Sequence, residues 1–431
     1  MPLSPVPETA PPQAGAKFHY GYVILVAGVI TVVGCLGLAR FGYNIIVPYM
    51  KQGLGLSNTQ MGVIGSAGLA GYMAFTAIGG FLAAKYGPRQ VISCSMLVAG
   101  LGMLLTGLAP SFPVAAACQL VVGLASAGAN ISVMGLASAW FARRRRAMAT
   151  GVFVGGCGIG AALSGFLVPR IVGWWPHLGW RCSWFLLGGL VLLCGAVAYR
   201  FLRNSPAELG LAPIGLEPSE KAAGGTAYGS AATAGQTPGW GSVYGLRPLW
   251  YLGLVYFTFG LSYIIYGTFS SQTIVQDWGL EPALAGRVWA VAGVFAIFSG
   301  LFWGVISDRL GRLRVLAVIY ALLALCNLIF ALFTGAVAGL WLSAMLFGLT
   351  QTAIASIVAA ICGDWVGGRL APAALGFVAA FFAVGQASGP TLAGYLADTL
   401  ASFTVPFQLG ALMAAVGCIG CLLLRPPART F

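Results

Sequence analysis

Twelve apolar runs constrain the fold of this sequence more than any other feature. Each run is long enough to cross a lipid bilayer, which takes about 20 residues of helix. Because the bilayer interior offers no partner for a free backbone N–H or carbonyl group, such runs form helices. They cover residues 18–47, 61–83, 91–109, 114–141, 147–172, 184–201, 248–275, 283–306, 315–334, 340–363, 373–397 and 405–424. The sequence therefore predicts an all-α membrane protein with twelve transmembrane helices.

The segments between the runs predict the domain organisation. Residues 18–202 and 248–424 each hold six runs, and we interpret them as two six-helix bundles. Residues 203–247 are rich in Pro, Gly, Ala, Ser and Thr, which is typical of a linker. Residues 1–17 and 425–431 are predicted cytoplasmic tails, the first of them disordered. A content of 7% charged residues excludes a soluble globular protein, which carries about 25%.

The positive charge of the chain predicts its orientation. The net charge is +13, and 17 of the 22 Lys and Arg residues fall on one side of the predicted helices, together with both termini. The positive-inside rule therefore predicts cytoplasmic termini and insertion into a bacterial inner membrane. This distribution favours a lipid bilayer as partner over nucleic acid, and we expect a monomer. The cysteines lie almost entirely within apolar runs as core residues, and no metal or cofactor site is predicted.

One loop occurs twice in the sequence. The segment 304–314 reads Gly-Val-Ile-Ser-Asp-Arg-Leu-Gly-Arg-Leu-Arg, and a degenerate copy lies one half earlier, at positions 80–90. The copy keeps both glycines but has Ala84 where the later loop has Asp308. Trp140 likewise returns as Trp365, at nearly the same offset along the chain. A shared offset of about half the chain indicates two pseudo-symmetric halves.

The spacing Gly-x-(Ile/Leu)-Ser-Asp-Arg-x-Gly-Arg resembles the signature loop of the major facilitator superfamily. There the loop joins transmembrane helices eight and nine and is taken to latch the cytoplasmic side. The resemblance implies the major facilitator fold and a transporter of the alternating-access type. It also implies a set of gating or structural residues: Gly80, Lys85, Gly87, Arg89, Gly304, Asp308, Arg309, Gly311, Arg312, Asp364 and Arg369. We expect Asp308 to contact Arg309, Arg312 or the N-terminus of a helix that begins near Pro372.

Two shorter segments resemble one branch of that superfamily. Residues 18–24, Phe-His-Tyr-Gly-Tyr-Val-Ile, and residues 140–151, Trp-Phe-Ala-Arg-Arg-Arg-Arg-Ala-Met-Ala-Thr-Gly, are similar to the bacterial monocarboxylate porters and oxalate/formate antiporters. Similar porters place a Lys 19 residues after the glycine of the Gly-aromatic pair in the first segment. Arg40 lies at that distance from Gly21. The resemblance implies a small organic anion, a monocarboxylate, as the substrate, with protons as a candidate second ion.

Arg40 is the leading candidate for a substrate contact. A charged group inside hydrocarbon is costly, so it marks a functional site unless it reaches the membrane surface. We place Arg40 in the outer half of the membrane, in the first helix, where its guanidinium could donate two parallel hydrogen bonds to a carboxylate. Tyr43 and Asn44 follow on the same face. The alternative interpretation is a structural arginine that snorkels to the interface.

The other candidates rest on the superfamily, in which helices one, four, seven and ten line the cavity. They are Asn130, Ser262, Tyr263, Tyr266 and Gln351, with a weaker candidate, Gln386, on helix eleven. Each could equally form a hydrogen bond between helices. The predicted function is secondary active transport of a small organic anion by proton symport or anion exchange. The alternatives are efflux of apolar, drug-like compounds and a non-transporting receptor; no enzyme active site is predicted.

Overall fold

The computed structural model describes residues 19–215, 245–332 and 336–426. Within these ranges eleven helices are long and apolar enough to cross a membrane. The second span, which bends by 50° between Thr76 and Ile78, brings the number to twelve. The first predicted tail, most of the predicted linker and residues 427–431 lie outside the described residues. The predicted all-α, twelve-span architecture is confirmed.

The spans of the N-terminal half are Gly21–Leu54, Asn58–Tyr86, Pro88–Leu108, Phe112–Trp140, Arg143–Trp174 and Gly179–Phe201. Those of the C-terminal half are Arg247–Asp277, Pro282–Leu310, Arg312–Leu332, Val337–Val366, Ala373–Leu400 and Thr404–Leu423. We call the face where the first span begins and the last one ends the terminal face, and the other side the opposite face.

The tenth span ends at Val366, and the eleventh begins at Ala373. The sequence predicts a helix that begins near Pro372, with a positive N-terminus available to Asp308. The start of the eleventh span at Ala373 agrees with the predicted start, and among the described residues Asp308 contacts Arg312.

The duplicated loop has the same backbone in both halves. Gly87 separates the second and third spans with φ 87° and ψ 142°, and Gly311 separates the eighth and ninth with φ 92° and ψ 133°. Side-chain-bearing residues rarely adopt this region, so a glycine is required at each turn. The two glycines occupy matching positions of the two loop copies, which ties the sequence repeat to a structural repeat.

Glycines bring the two halves together between the fifth and eighth spans. A Cβ atom added to Gly158 would lie 2.3 Å from the carbonyl oxygen of Gly293, and one added to Gly165 would lie 2.5 Å from that of Gly286. These distances leave no room for side chains, so the backbones of the two helices are in contact. The contact runs from mid-depth toward the opposite face.

Toward the terminal face the fifth and eighth spans diverge. Continuing the antiparallel register would bring Gly304 against the start of the fifth span, yet no described atom lies within 4 Å of a Cβ atom added there. Gly304 therefore makes no close helix contact with the described part of the chain. Gly376 of the eleventh span is equally open. Among the described residues, the close backbone contacts between the fifth and eighth spans therefore lie from mid-depth toward the opposite face.

Part of the predicted linker is packed against the N-terminal half. Ile214 exchanges backbone hydrogen bonds with the end of the fourth span, accepting from Ala142 at 3.0 Å and donating to Trp140 at 2.9 Å. His19 contacts the Ala212 carbonyl oxygen at 3.0 Å, and a Cβ atom on Gly21 would lie 2.4 Å from the Ile214 side chain. The two motifs around residues 18–24 and 140–151 thus hold the segment that follows the sixth span.

The two glycines of the later loop provide a matched pair for a stability test. Gly311→Ala should destabilise the protein by about 1–3 kcal/mol, since it forces a side chain into a sparsely populated backbone region. Gly304→Ala should be neutral or stabilising by up to about 1 kcal/mol, since Gly304 is helical with open space around it. Thermal unfolding in detergent measures both. Equal melting temperatures for the two variants would contradict the assigned turn geometry.

Candidate functional site

Arg40 lies in a π-helical segment that interrupts the first span. The segment runs from Val33 to Phe41, between the α-helices Gly21–Val32 and Gly42–Leu54. Hydrogen bonds from i to i+5 widen the turn, so the chain advances less per residue than in an α-helix. Arg40 therefore lies nearer to the middle of the span than an α-helix would place it, level with Tyr263 near the middle of the seventh span. π-helical turns occur frequently at functional sites.

The Arg40 guanidinium connects the two halves of the protein. Its Nη2 donates a hydrogen bond of 2.7 Å to the hydroxyl oxygen of Tyr263. Its Cζ lies 5.2 Å from the ring centroid of Tyr72 in the second span and 5.6 Å from that of Phe41, within cation–π range. Its Nε is buried and has no hydrogen-bond partner among the described residues. Arg40 is thus held by aromatic groups and keeps free hydrogen-bonding capacity.

No carboxylate of the described part of the chain lies beside Arg40 at mid-depth. The acidic residues there lie near one face or the other: Glu208, Asp308 and Asp364 at the terminal face, and Asp277, Glu281 and Asp398 at the opposite face. A desolvated cation without a counter-charge is costly, and the cost falls when an anion binds. The site is therefore electrostatically suited to an anion.

Two amides complete the polar network around Arg40. Asn130 of the fourth span donates its side-chain N–H to the Tyr72 hydroxyl at 2.7 Å, and Gln386 of the eleventh span donates to the Tyr263 hydroxyl. Tyr263 is also part of an aromatic row in which its ring stacks on Phe259, with centroids 4.7 Å apart. Side chains from spans one, two, four, seven and eleven thus converge at one level of the membrane.

A small cavity opens beside Arg40. It has a volume of about 50 Å³, and its wall includes Arg40, Tyr43, Tyr72, Ser126 and Thr268. One water molecule occupies about 30 Å³, so the cavity in this conformation holds one or two waters. An organic anion enters only if the surrounding helices move apart.

The other predicted contacts of the first span have different surroundings. Tyr43 lines the cavity with its ring, while its hydroxyl donates to the Met61 carbonyl oxygen at 2.6 Å. Asn44 is fully engaged with the seventh span: it donates to the Gly267 carbonyl oxygen at 2.9 Å and to Ser270 Oγ at 3.1 Å, and it accepts from Ser271. The geometry places Asn44 in the contact between the halves rather than in the cavity.

The remaining predicted contacts lie away from Arg40 and its network. Tyr266 is fully buried within the C-terminal half, where its hydroxyl accepts from Ser343 at 2.9 Å and its ring stacks on Phe347. Ser262 donates to the Gly410 carbonyl oxygen at 2.7 Å. Gln351 ends the helix Val337–Gln351, at the break in the tenth span. The structure therefore brings Arg40, Asn130, Tyr263 and Gln386 together, but not these three residues.

Tyr72 and Ser126, like Thr268 of the cavity wall, were missed from the sequence. Tyr72 was overlooked because the superfamily rule for cavity-lining helices omits the second helix. Ser126 was overlooked because a serine in an apolar run is most often bonded to its own helix. A signal for Ser126 existed, since it precedes Asn130 by one helical turn and shares its helix face.

Hydrogen bonds close the opposite face between the second and eleventh spans. The Asp398 carboxylate accepts from the backbone N–H groups of Asn58 at 2.9 Å and Thr59 at 2.7 Å, and from the Thr59 hydroxyl at 2.6 Å. It thereby caps the N-terminus of the second span from the other half of the protein. Nearby, Lys51 donates to Gln276 at 3.3 Å.

At the terminal face, the predicted gating residues bond within their own halves. Arg312 contacts Asp364 at 3.0 Å and, more loosely, the 72% exposed Asp308 at 3.9 Å. Arg309 is exposed, and the side chain of Arg369 lies outside the described residues.

The earlier loop is held differently. The Arg89 backbone N–H donates to the Asn204 side chain at 2.9 Å, and the Arg89 guanidinium donates to the Tyr199 carbonyl oxygen at 2.9 Å. Lys85 lies 5.1 Å from the centroid of the Tyr86 ring. Gly80 packs no closer than 3.8 Å to its neighbours. The earlier loop therefore uses neutral acceptors where the later one uses Asp308 and Asp364.

Comparisons with known proteins agree with this architecture. A model of the Major Facilitator Superfamily matches residues 29–341 and, in a second match, residues 252–430. The chain is 26% identical over 401 residues to the "Probable sulfoacetate transporter" of Cupriavidus necator, covering 90% of both chains. It is 29% identical over 333 residues to the "Gallate transporter" of Pseudomonas putida, covering 71% of this chain and 70% of that one.

A solved structure shares the fold. The crystal structure of a bacterial homologue of the human lysosomal transporter Spinster superimposes with a TM-score of 0.73. The match covers 97% of this chain and 98% of the other at 14% sequence identity. At this identity the likeness concerns the fold alone.

The Asp398 cap gives a test of the closure at the opposite face. Asp398→Asn keeps the shape of the side chain but removes its charge, and hydrogen bonds to charged groups are the stronger ones. A loss of about 1 kcal/mol would raise the population open at this face about fivefold. In a variant without native cysteines, Thr268→Cys in the cavity wall reports opening through its labelling by a membrane-impermeant maleimide added to the opposite face.

Glu281→Gln is the control for this measurement. Glu281 lies at the same face, but its partner is the exposed Arg287 at 3.6 Å, and such a pair contributes little. We expect faster labelling with Asp398→Asn and no change with Glu281→Gln. Equal labelling rates in both would show that Asp398 does not hold the face closed.

Proposed function

The chain belongs to the Major Facilitator Superfamily, and we propose that it carries a small organic anion across the bacterial inner membrane. The proposal rests on the guanidinium of Arg40, which lies at mid-depth between the two halves with no carboxylate of the described residues beside it. A carboxylate would supply the missing counter-charge and accept a two-pronged hydrogen bond from the guanidinium.

The orientation of the protein follows from its surface charges. Arg145, Arg146, Arg309 and Arg312 lie at the terminal face, and under the positive-inside rule that face is cytoplasmic. Both termini are then cytoplasmic, and the close contacts between the halves, which lie from mid-depth toward the opposite face, favour an inward-open arrangement. Transport requires a second state, in which the Asp398 cap and the Asn44 bonds break and the terminal face closes.

The substrate class is a carboxylate of modest size. The relatives with similar sequences are named for sulfoacetate and gallate, which share a carboxylate attached to a small body. In the observed conformation the cavity beside Arg40 is too small for either. We propose that the substrate takes the place of the Tyr263 hydroxyl on Arg40, which separates the halves at mid-depth and makes room for it.

Two driving forces are compatible with the site. In proton symport, uptake into proteoliposomes rises when the outside is made acidic. In anion exchange, uptake depends on a second anion inside the vesicle and not on a pH gradient. Measuring uptake of a labelled carboxylate with and without each gradient separates the two.

Arg40 provides the test of the substrate class. Arg40→Ala should abolish carboxylate uptake while the protein keeps a melting temperature near that of the parent. Arg40→Lys should retain part of the activity, because the charge remains while the two-pronged geometry is lost. A substrate at 100 times its Kd should stabilise the parent by about 2.7 kcal/mol but leave the Ala variant unchanged.

Arg287→Ala is the matched control, since Arg287 is an exposed cation at the opposite face. It should transport like the parent. Parent-like carboxylate uptake by Arg40→Ala would end the assignment and favour export of apolar compounds, which needs no cation. A loss of stability in Arg40→Ala that substrate does not restore would point to a structural arginine.

A further inference from the structure

Three buried polar atoms around the cavity have no hydrogen-bond partner in the described part of the protein. They are Nε of Arg40, Oγ of Ser126 and Oδ1 of Asn130. Ser126 is only 2% exposed. An unsatisfied buried polar atom carries its full desolvation cost, and native proteins contain few of them. Three within one network therefore indicate groups that a ligand satisfies.

The three atoms belong to one site. Ser126 and Arg40 both line the cavity, as does Tyr72. Asn130 follows Ser126 by one helical turn and lies on the same face of the fourth span. Asn130 is oriented by its bond to Tyr72, since its side-chain N–H group donates to the Tyr72 hydroxyl at 2.7 Å. The atom that Asn130 leaves free is therefore its carbonyl oxygen.

The chemistry of the three atoms differs. Arg40 Nε–H donates a hydrogen bond, and the Ser126 hydroxyl is able to donate one, so a carboxylate satisfies both. The Asn130 carbonyl oxygen only accepts, and a carboxylate cannot satisfy it. A ligand that satisfies the whole site therefore carries a hydrogen-bond donor in addition to its carboxylate.

We propose that the substrate is a hydroxycarboxylate, with its carboxylate on Arg40 and Ser126 and its hydroxyl donating to Asn130 Oδ1. This inference rests on the proposed function and narrows it. A site built to bond a substrate hydroxyl discriminates strongly against the analogue that lacks one, because its polar group then stays desolvated and unpaired. Ser126 and Asn130 thereby become specificity-determining residues of the fourth span.

The experiment compares carboxylates that differ only in a hydroxyl group. Radiolabelled glycolate and acetate, lactate and propionate, and 3-hydroxybenzoate and benzoate are offered in pairs to proteoliposomes that contain the parent protein. We expect at least one hydroxylated member to be taken up at least tenfold more efficiently than its partner, measured as kcat/KM. This comparison needs no variant and so does not depend on a variant folding.

Variants then assign the preference to residues. Asn130→Leu removes the hydrogen-bond acceptor while keeping a side chain of similar size. The ratio of kcat/KM between the hydroxylated and the unhydroxylated member of a pair should fall toward one, mainly because kcat/KM for the hydroxylated member falls. Ser126→Ala should lower kcat/KM equally for both members of a pair, since it removes a hydrogen-bond donor to the carboxylate that both members carry. Ser132→Ala is the control: Ser132 is buried in the same span, but its hydroxyl is already bonded to the Gly128 carbonyl oxygen at 2.7 Å.

The outcomes separate this inference from the proposed function. If both members of each pair are taken up equally and Arg40→Ala abolishes this uptake, the hydroxyl requirement is overturned but the chain remains an organic-anion transporter. The Asn130 carbonyl oxygen would then be bonded to a water molecule. A hydroxyl preference that survives Asn130→Leu would overturn the role of Asn130. Arg40-independent uptake, or no uptake of any carboxylate in the panel, would overturn the carboxylate assignment and this inference with it.

Discussion

The rest of the structure depends on a single charge at mid-depth in the membrane. Holding the half-buried Arg40 guanidinium within the membrane is costly, and the described part of the protein lowers that cost without a carboxylate beside it, using the rings of Tyr72 and Phe41 and the hydroxyl of Tyr263. Tyr72 and Phe41 belong to the same half as Arg40 and Tyr263 to the other, so the stabilisation of the charge is complete only where the halves meet. The same arrangement leaves the guanidinium able to accept an anion.

The contact between the halves is built from two kinds of interaction. Between the fifth and eighth spans, glycines such as Gly158 and Gly293 allow the two helix backbones to touch. This contact depends on the fit of the two helix surfaces, which opposes sliding of one helix along the other. Between the second and eleventh spans, the Asp398 carboxylate holds a helix N-terminus through directional bonds that break as a unit. A rocking motion that keeps the glycine contact near mid-depth as a pivot would break the Asp398 bonds first. The closure at the opposite face is therefore the part that such a motion changes most.

The sequence predicted those features that depend on local chemistry. Apolar runs gave the spans, and the repeated glycines gave the turns at Gly87 and Gly311, because both follow from the bilayer and from backbone sterics. The surroundings of Asn44 and Tyr266 could not be predicted, because whether a polar side chain faces the cavity or another helix is decided by helix rotation and packing. The π-helical winding of Val33–Phe41 could not be predicted for a related reason, because nothing local in the sequence indicates it.

The two halves of the site are unequal, and this inequality suggests how binding could be coupled to movement. The repeat partner of Arg40 in the C-terminal half is Ile265, which is fully buried. The N-terminal half thus supplies the charge and the C-terminal half supplies neutral groups, Tyr263 and Gln386. An anion that replaces Tyr263 on Arg40 removes a bond between the halves in the same step in which it satisfies the charge. Anion binding therefore weakens the contact between the halves at mid-depth. A ligand shifts the equilibrium between two conformations only if it interacts more favourably with one of them, and the loss of this contact provides such a difference.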